Sequence, residues 1–418
     1  MKVKFPTTAR YLAAAALALA GCQGPRDEGQ VKTVHSEDGS LFVNGAPLIP
    51  TGVYFWPDIS FPTGRNPFED IAQYGLNALV AYYEYVRPDR TITNQPDIYE
   101  LRRQCDRLGI YYFVGAPIDS TLAEKPDTDL EALFAATTDA VDDSPHFLGW
   151  IVDEPAWNGI DIALMNRLAT AIRRHPSRPQ VWINFAPVDA RWETPGWPDM
   201  TTYARIGDIT GFDFYPVGMG LPWTGTITRS KPEDFGWYVD TGRSWVAPDT
   251  PVWMIQQGYQ RGDLGEKEPL EDSRRPDSLE TRFMTFQALV HGASGIFYFP
   301  GSRLGGTIPF DDPTWDRYIR STAAAVQSLT PTLASRESAE EVTSSSADVH
   351  LLVRRLEGKT VILAVKESRQ DPAPVTFTLS ETVSASFEVV GEDRKVHAEE
   401  GVFTDSFGPY AVHIYRQE

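Results

Sequence analysis

The sequence has few of the residues that build disulfide or metal sites. Its 418 residues include two cysteines and seven scattered histidines, with no C-x-x-C or H-x-x-x-H pair. We therefore expect no disulfide framework, no metal site and no cofactor. Cys105 follows a helical pattern with Leu101 and Leu108, which favours a buried core thiol over a nucleophile.

Positive charge is also scarce. The chain carries 38 Lys and Arg against 57 Asp and Glu, a formal net charge of −19. Nucleic acids and anionic membrane surfaces require a basic patch, so neither is expected as the main partner. A neutral substrate remains compatible with this balance.

No apolar run is long enough to span a bilayer, yet the first residues have a targeting pattern. Lys2, Lys4 and Arg10 precede the run YLAAAALALAG, which ends at Cys22. The stretch LAGC resembles the lipobox of bacterial lipoproteins, which implies a signal peptide over residues 1–21 and a diacylated Cys22. The alternative is a chance cysteine after such a run.

The residues after Cys22 bear on location. Residues 22–32 are polar and rich in Gly and Pro, as expected of a tether. Gln23 stands where an inner-membrane retention signal has Asp, so the resemblance implies an exported lipoprotein anchored to the outer membrane. The protein would lie on the periplasmic or the cell-surface side of that membrane.

Residues 33–330 alternate between apolar runs and amphipathic helical stretches. The runs are apolar throughout, as parallel strands covered on both faces should be. Eight such units predict a (β/α)₈ barrel, and the open doubly wound sheet has little support because no G-x-G-x-x-G follows the first strand. The predicted strands are PTGVYFW, LNALVAYY, GIYYFVG, FLGWIVDEP, QVWINFAP, DITGFDFYP, TPVWMIQQGY and GIFYF.

The pattern changes over residues 331–418. A Ser-rich connector leads into short alternating strands separated by turn signals, with no helical period. This pattern predicts a small C-terminal β-sandwich domain packed on the barrel.

Chemistry in such a barrel lies at the carboxyl ends of the strands. These ends carry carboxylates, amides and aromatic rings with almost no cations, a combination that suits a neutral carbohydrate. The predicted substrate-binding residues are Tyr54, Trp56, Tyr82, Asn184, Tyr215, Gln256 and Gln257, and the predicted catalytic residues are Glu154, Asp213 and Asp153.

The stretches LFVNGAPLIPTGVYFWP and GWIVDEP support a more specific comparison. Over about residues 35–330 the chain resembles the large retaining clan of (β/α)₈ glycoside hydrolases, which carry catalytic carboxylates on strands four and seven. The resemblance implies that Glu154 is the general acid/base and that Asp153 replaces the clan's usual Asn. Asp153 either orients substrate or raises the pKa of Glu154.

The seventh strand departs from that clan. WMIQQGY places Gln256 and Gln257 where the nucleophile Glu is needed, and amides cannot attack an anomeric carbon. Asp213 is the leading substitute, ahead of Glu84 and Asp119, whereas Glu280 has capping-box spacing from Asp277. We expect Asp213 to activate a water in an inverting reaction, with the glutamines binding hydroxyls.

Three functions fit these residues. The first is a lipid-anchored glycoside hydrolase that acts on an oligo- or polysaccharide. The second is a non-catalytic glycan-binding barrel that has lost its strand-seven nucleophile. The third is a different barrel hydrolase or lyase. The missing carboxylate on strand seven separates the first two.

Overall fold

Eight parallel strands close into a barrel in the computed structural model. Around the barrel the order is β10-β11-β4-β5-β6-β7-β8-β9, so each predicted strand pairs with its neighbours along the chain and the last meets the first. This arrangement confirms the (β/α)₈ prediction and excludes the open sheet. The strands are β4 (Thr51–Phe55), β5 (Ala78–Tyr82), β6 (Tyr111–Gly115), β7 (Phe147–Asp153), β8 (Gln180–Phe185), β9 (Ile209–Phe214), β10 (Val252–Gln257) and β11 (Gly295–Phe299).

Helices cover the outside of the barrel and bury their apolar faces against it. Cys105 is fully buried there, as predicted for a core thiol. The helices are α1 (Pro67–Gln73), α2 (Ile98–Leu108), α3 (Asp127–Thr138), α4 (Ile162–Arg173), α5 (Asp189–Trp192), α6 (Met200–Ile206), α7 (Phe235–Trp245), α8 (Ser278–Val290), α9 (Arg320–Ser328) and α10 (Thr330–Leu333). Short 3₁₀ helices span Ser120–Glu124 and Pro232–Asp234, and a π-helix spans Thr314–Ile319.

A three-stranded antiparallel sheet precedes the barrel. It consists of β1 (Val34–Glu37), β2 (Ser40–Val43) and β3 (Ala46–Leu48), and the Asn44-Gly45 pair forms the β2–β3 turn. Both turn residues have positive φ, 52° and 76°, as a type I′ turn requires. Leu41 and Leu48 join the apolar cluster of the barrel interior, so this sheet closes one end of the barrel.

Two antiparallel sheets form the C-terminal domain. Their facing sides enclose a separate apolar core that includes Phe377, Phe403 and Tyr415. One sheet has the order β12-β15-β18 and the other β13-β14-β19-β16-β17. The strands are β12 (Val342–Ser344), β13 (Val349–Leu356), β14 (Lys359–Lys366), β15 (Ala373–Leu379), β16 (Ala385–Val389), β17 (Arg394–Ala398), β18 (Val402–Phe407) and β19 (Val412–Gln417).

The five-stranded sheet docks on α8 of the barrel. Val361, Leu363 and Ile414 belong to the same apolar cluster as the barrel helices, and the rings of Phe283 and Tyr410 stack with centroids 4.1 Å apart. The predicted sandwich is therefore packed on the barrel.

The structure describes residues 32–55, 66–82, 98–117, 120–192, 197–218, 228–260, 263, 273–301, 312–381 and 384–418. The predictions for Cys22, Trp56, Glu84 and Asp119 concern residues outside these ranges. Tyr82 ends β5, and its side chain is also outside the described part. Within these ranges no helix combines the length and the apolar character needed to cross a bilayer.

Candidate active site

Three polar side chains from neighbouring strands meet at the carboxyl end of the barrel. Asp153 ends β7 and lies in register with Asn184 on β8, and Asp213 lies on the next strand, β9. Asn184 is fully buried, and its Nδ2 donates to Asp153 Oδ1 at 2.9 Å and to Asp213 Oδ1 at 3.2 Å. The amide therefore holds two carboxylates side by side.

Strand alternation explains why these three side chains face inward. Ile151 and Trp182, two residues before Asp153 and Asn184, belong to the apolar cluster of the barrel interior. Side chains two residues apart on a strand share a face. The apolar interior therefore ends in a polar layer at the mouth.

Glu154 reaches the same mouth through a turn. Its φ of +46° is in the left-handed region, which a non-glycine residue adopts only when the surroundings enforce it. Its backbone N–H donates to Asn184 O at 2.8 Å, and Asn158 Nδ2 donates to the carbonyl oxygens of Asp153 at 3.3 Å and Glu154 at 3.1 Å. One of the adjacent acids therefore ends the strand, and the other lies in the turn.

The environment of Glu154 favours its protonated form. Burial raises its pKa well above the usual value, and the negative charges of Asp213 and Asp153 add to the rise. The Glu154 carboxyl also hydrogen-bonds to Asp213, again raising the Glu154 pKa. Glu154 therefore has the properties of a proton donor.

The Asp213 carboxyl is also buried, and its pKa is raised to about 8. Burial raises its pKa first, and the Asp153 charge raises it further. Hydrogen bonds from Asn184 and Tyr215 act in the opposite direction and stabilise the carboxylate. Because Asp213 receives these donors and its negative charge raises the pKa of Glu154, Asp213 loses its proton first and Glu154 keeps its proton to higher pH.

The separation of these two carboxyl groups corrects one expectation. Inverting pairs stand about 6.5–9.5 Å apart to leave room for a water. Glu154 and Asp213 are instead in hydrogen-bond contact. The wide gap expected for an Asp213-activated water is therefore not present.

The two glutamines of β10 face opposite layers. Gln256 is buried among the helices, where its Nε2 donates to Thr281 O at 3.0 Å and its Oε1 accepts from Thr285 Oγ1 at 2.8 Å. Because successive side chains on a strand point to opposite faces, Gln257 faces the interior of the barrel. Because Gln256 lies in the helix layer, the structure gives it a structural role and does not support its predicted contact with substrate.

Gln257 is held by backbone groups at the mouth. Its Oε1 accepts from Val217 N at 2.8 Å, and its Nε2 donates to Val217 O at 2.7 Å and to Tyr259 O at 2.9 Å. Both ends of the amide are thus used to fix the loop that follows β9. A side chain satisfied in this way has little capacity left for the sugar hydroxyls that the sequence interpretation assigned to it.

Aromatic rings surround the acids. Tyr215 packs on Phe299 with centroids 5.5 Å apart, and Tyr54 meets the same ring edge-on at 5.9 Å. Tyr259 contacts Tyr215 edge-on at 5.2 Å. Of the predicted aromatic binders whose side chains are described, Tyr54 is almost fully buried and Tyr215 is half-buried, so Tyr215 has the better access to a ligand.

Sequence reasoning missed a small cavity on the other side of Glu154. Glu154, Trp157, Trp192 and Trp197 line it, together with other apolar residues. The indole Nε1 atoms of Trp192 and Trp197 are buried and have no hydrogen-bond partner among the residues that the structure describes. The stretches DEPAW and RWETPGWP contained these tryptophans, but only the fold brings them together beside an acid.

The capping-box interpretation of Glu280 is confirmed. Asp277 Oδ1 accepts from Glu280 N at 2.9 Å, and Glu280 Oε2 accepts from Asp277 N at 3.1 Å. Arg274 and Arg369 pair with the same buried carboxylate. Glu280 is therefore committed to the start of α8 and does not serve the mouth.

Comparisons with known proteins support the architecture. No protein-family model and no curated protein matches the chain. Among solved structures, one described as a glycoside hydrolase matches with a TM-score of 0.64 at 12% identity, covering 92% of this chain and 96% of its own. A family 5 glycoside hydrolase from Bacteroides vulgatus gives 0.62 at 14%, covering 94% and 95%.

A more distant enzyme shares the same arrangement. An α-amylase from Geobacillus thermoleovorans, complexed with acarbose, matches with a TM-score of 0.56 at 12% identity, covering 88% of this chain and 98% of its own. Identities this low show a common fold and leave the activity to be argued from the site. The chain thus has the fold of these glycoside hydrolases, a (β/α)₈ barrel followed by a β-rich domain.

Proposed function

We propose that the chain hydrolyses glycosidic bonds of an oligo- or polysaccharide, with Glu154 as the general acid. The observation that carries this proposal is the hydrogen-bond contact between the buried carboxyl groups of Glu154 and Asp213 at the barrel mouth, of which Glu154 holds its proton more strongly. Glycoside hydrolysis uses such a pair, one carboxylic acid to protonate the leaving oxygen and one carboxylate to act at the anomeric carbon.

Each neighbouring residue has a role in this proposal. The Asp153 charge keeps the proton on Glu154, and the Asn184 amide fixes the orientation of Asp153 and Asp213. Tyr215 donates to Asp213 and offers a ring to the apolar face of a sugar. Trp157, Trp192 and Trp197 provide further aromatic surface beside the acid.

The absence of a carboxylate on β10 supports the alternative function, a glycan-binding barrel. Gln257 occupies the mouth position of that strand and is fixed by backbone hydrogen bonds. We place hydrolysis first because a binding site does not need a buried acid whose proton is maintained by two neighbouring carboxylates.

We also propose that the chain is an exported lipoprotein held in the outer membrane through Cys22. The support is the LAGC stretch after a basic start and an apolar run. A lipid anchor would keep a polysaccharide-degrading enzyme at the cell envelope.

The experiment is an assay against a panel of neutral oligo- and polysaccharides. Glu154→Gln and Asp213→Asn should each lower kcat by at least a hundredfold, in line with the contribution of general acid–base groups. Glu388→Gln, at an exposed carboxylate in the C-terminal domain, is the matched control and should retain full activity. Binding of a glycan without cleavage by the native chain would replace hydrolysis with the binding function.

A further inference from the structure

Two histidines and two acids meet where the barrel joins the C-terminal domain. His291 follows α8 and Asp240 lies on α7 of the barrel. His350 lies on β13 and Glu367 follows β14 in the C-terminal domain. These residues are up to 127 positions apart in the chain, so no local motif marks them.

The ligand atoms of three of these residues converge. Glu367 Oε1 lies 2.7 Å from His291 Nε2, and Glu367 Oε2 lies 3.6 Å from His350 Nε2. One ligand atom from each of His291, His350 and Glu367 lies within 4.8 Å of the other two. In a tetrahedral zinc site, ligand bonds of about 2.0–2.2 Å put neighbouring ligand atoms about 3.3 Å apart. Small side-chain adjustments bring the three atoms to that spacing.

Asp240 gives His291 the support that metal-binding histidines usually have. Its Oδ2 lies 2.9 Å from His291 Nδ1, so Nδ1 keeps a proton when Nε2, which faces Glu367, gives up its own to a metal ion. A carboxylate behind the distal nitrogen fixes both the tautomer and the orientation of the ligand. Gly236 makes room for the ring, because a Cβ there would lie 2.5 Å from His291 Nε2.

The cluster is reachable from solvent on one side. The His291 and Glu367 side chains are 10% and 15% exposed, whereas His350 is 43% exposed. The two imidazole rings stack with centroids 4.9 Å apart, and His350 is the more exposed of the two. An ion can therefore enter from the His350 side and meet two ligands that are already positioned.

We propose that His291, His350 and Glu367 bind one Zn²⁺ ion that joins the C-terminal domain to the barrel. Two imidazoles and a carboxylate are a ligand set that zinc accepts, with water in the fourth position. Binding displaces the Nε2 proton of His291 to solvent and replaces its hydrogen bond to Glu367 with two metal bonds. The site is independent of the barrel mouth, so the proposal stands or falls separately from the hydrolase function.

Titration of the untagged, chelator-treated chain with zinc chloride tests the proposal. We expect one equivalent to bind and the thermal unfolding temperature to rise. His350→Asn and Glu367→Gln should each weaken binding at least tenfold and remove the rise. Asp240→Asn, which changes a residue that contacts the ligand His291, should weaken binding about 10- to 100-fold. Co²⁺ in place of Zn²⁺ should show the visible absorption of a tetrahedral ion.

His397→Asn is the matched control. His397 is an exposed histidine on β17 that contacts Ser386, and its loss should leave zinc binding unchanged. Circular dichroism of every variant establishes that the chain has folded. Absence of saturable binding, equal loss in His397→Asn, or native affinity in His350→Asn would each overturn the site and leave the cluster as a hydrogen-bonded ion-pair network.

Discussion

Glu154 and Asp213 are both buried carboxylic acids with raised pKa values, yet their neighbours make Glu154 hold its proton more strongly than Asp213 does. Glu154 lies in the field of two acids, which retain its proton. Asp213 receives donors from Asn184 and Tyr215, which stabilise its charge. Two carboxylic acids can therefore serve as the acid and the base of one reaction, because their surroundings give them different pKa values.

The contact between these carboxyl groups predicts the stereochemistry of the product. A retaining pair stands about 5–5.5 Å apart, so less movement is needed to admit a sugar than for an inverting pair. We therefore expect retention, with Asp213 as the nucleophile. Proton NMR of the first-formed anomer, recorded before mutarotation, measures the outcome. An inverted product would return Asp213 to the role of a base acting through water.

The raised pKa of Glu154 also predicts a cost in stability. Above pH 4.5 the unfolded chain releases this proton while the native chain keeps it, so stability falls as pH rises towards the native pKa. Glu154→Gln removes this titration. For every unit by which folding raises the pKa, the variant gains about 1.4 kcal/mol at a pH above the native value.

Urea unfolding at pH 4 and pH 8 measures this difference. Glu154→Gln should match the native chain at pH 4 and exceed it at pH 8, while its activity is lost. The exposed control Glu388→Gln should show no such pH-dependent gain. A Glu154→Gln variant that is less stable at pH 8 would mean that the glutamate is a structural part of the turn.

At the scale of elements, the sequence was sufficient to predict the barrel strands and to place the acids at the ends of those strands. Eight apolar runs were recognisable because parallel strands are covered on both faces, and strand ends located Asp153, Glu154, Asn184 and Asp213. The alternation of side chains along β10 predicts that Gln256 and Gln257 face opposite sides, but the backbone partners of Gln257 come from the segments after β9 and after β10. Those contacts, like the tryptophan cavity, depend on how distant loops pack and have no local signal.

The position of Gln257 predicts the effect of restoring an acid on β10. Gln257→Glu would replace the Nε2 donor, leaving the carbonyl oxygens of Val217 and Tyr259 against a carboxylate. Two buried acceptors without donors should cost on the order of 3 kcal/mol. We expect lower stability in urea unfolding and no gain in activity. Gln370→Glu, at an exposed glutamine, is the control and should be nearly neutral.

At the scale of the whole molecule, the C-terminal domain is joined to the barrel at more than one place along α8. Glu280 at the start of the helix pairs with Arg369, Phe283 stacks on Tyr410, and His291 after the helix pairs with Glu367. Since charge pairs lie at both ends of an apolar contact, the two domains should move as one unit. The barrel mouth is formed by other elements and does not depend on this interface for its residues.

The anchoring of the whole molecule depends on Cys22, according to the lipobox-like stretch. Acyl chains rather than charges should hold the chain, so detergent should release it from membranes and high salt should not. Cys22→Ser should make the protein soluble or leave it unprocessed, as measured by membrane fractionation and by the mass of the mature chain. Cys105→Ala, which removes the buried thiol of α2, is the matched control and should remain membrane-bound. A Cys22→Ser protein that fractionates like the native one would show that residues 1–21 do not lead to lipidation.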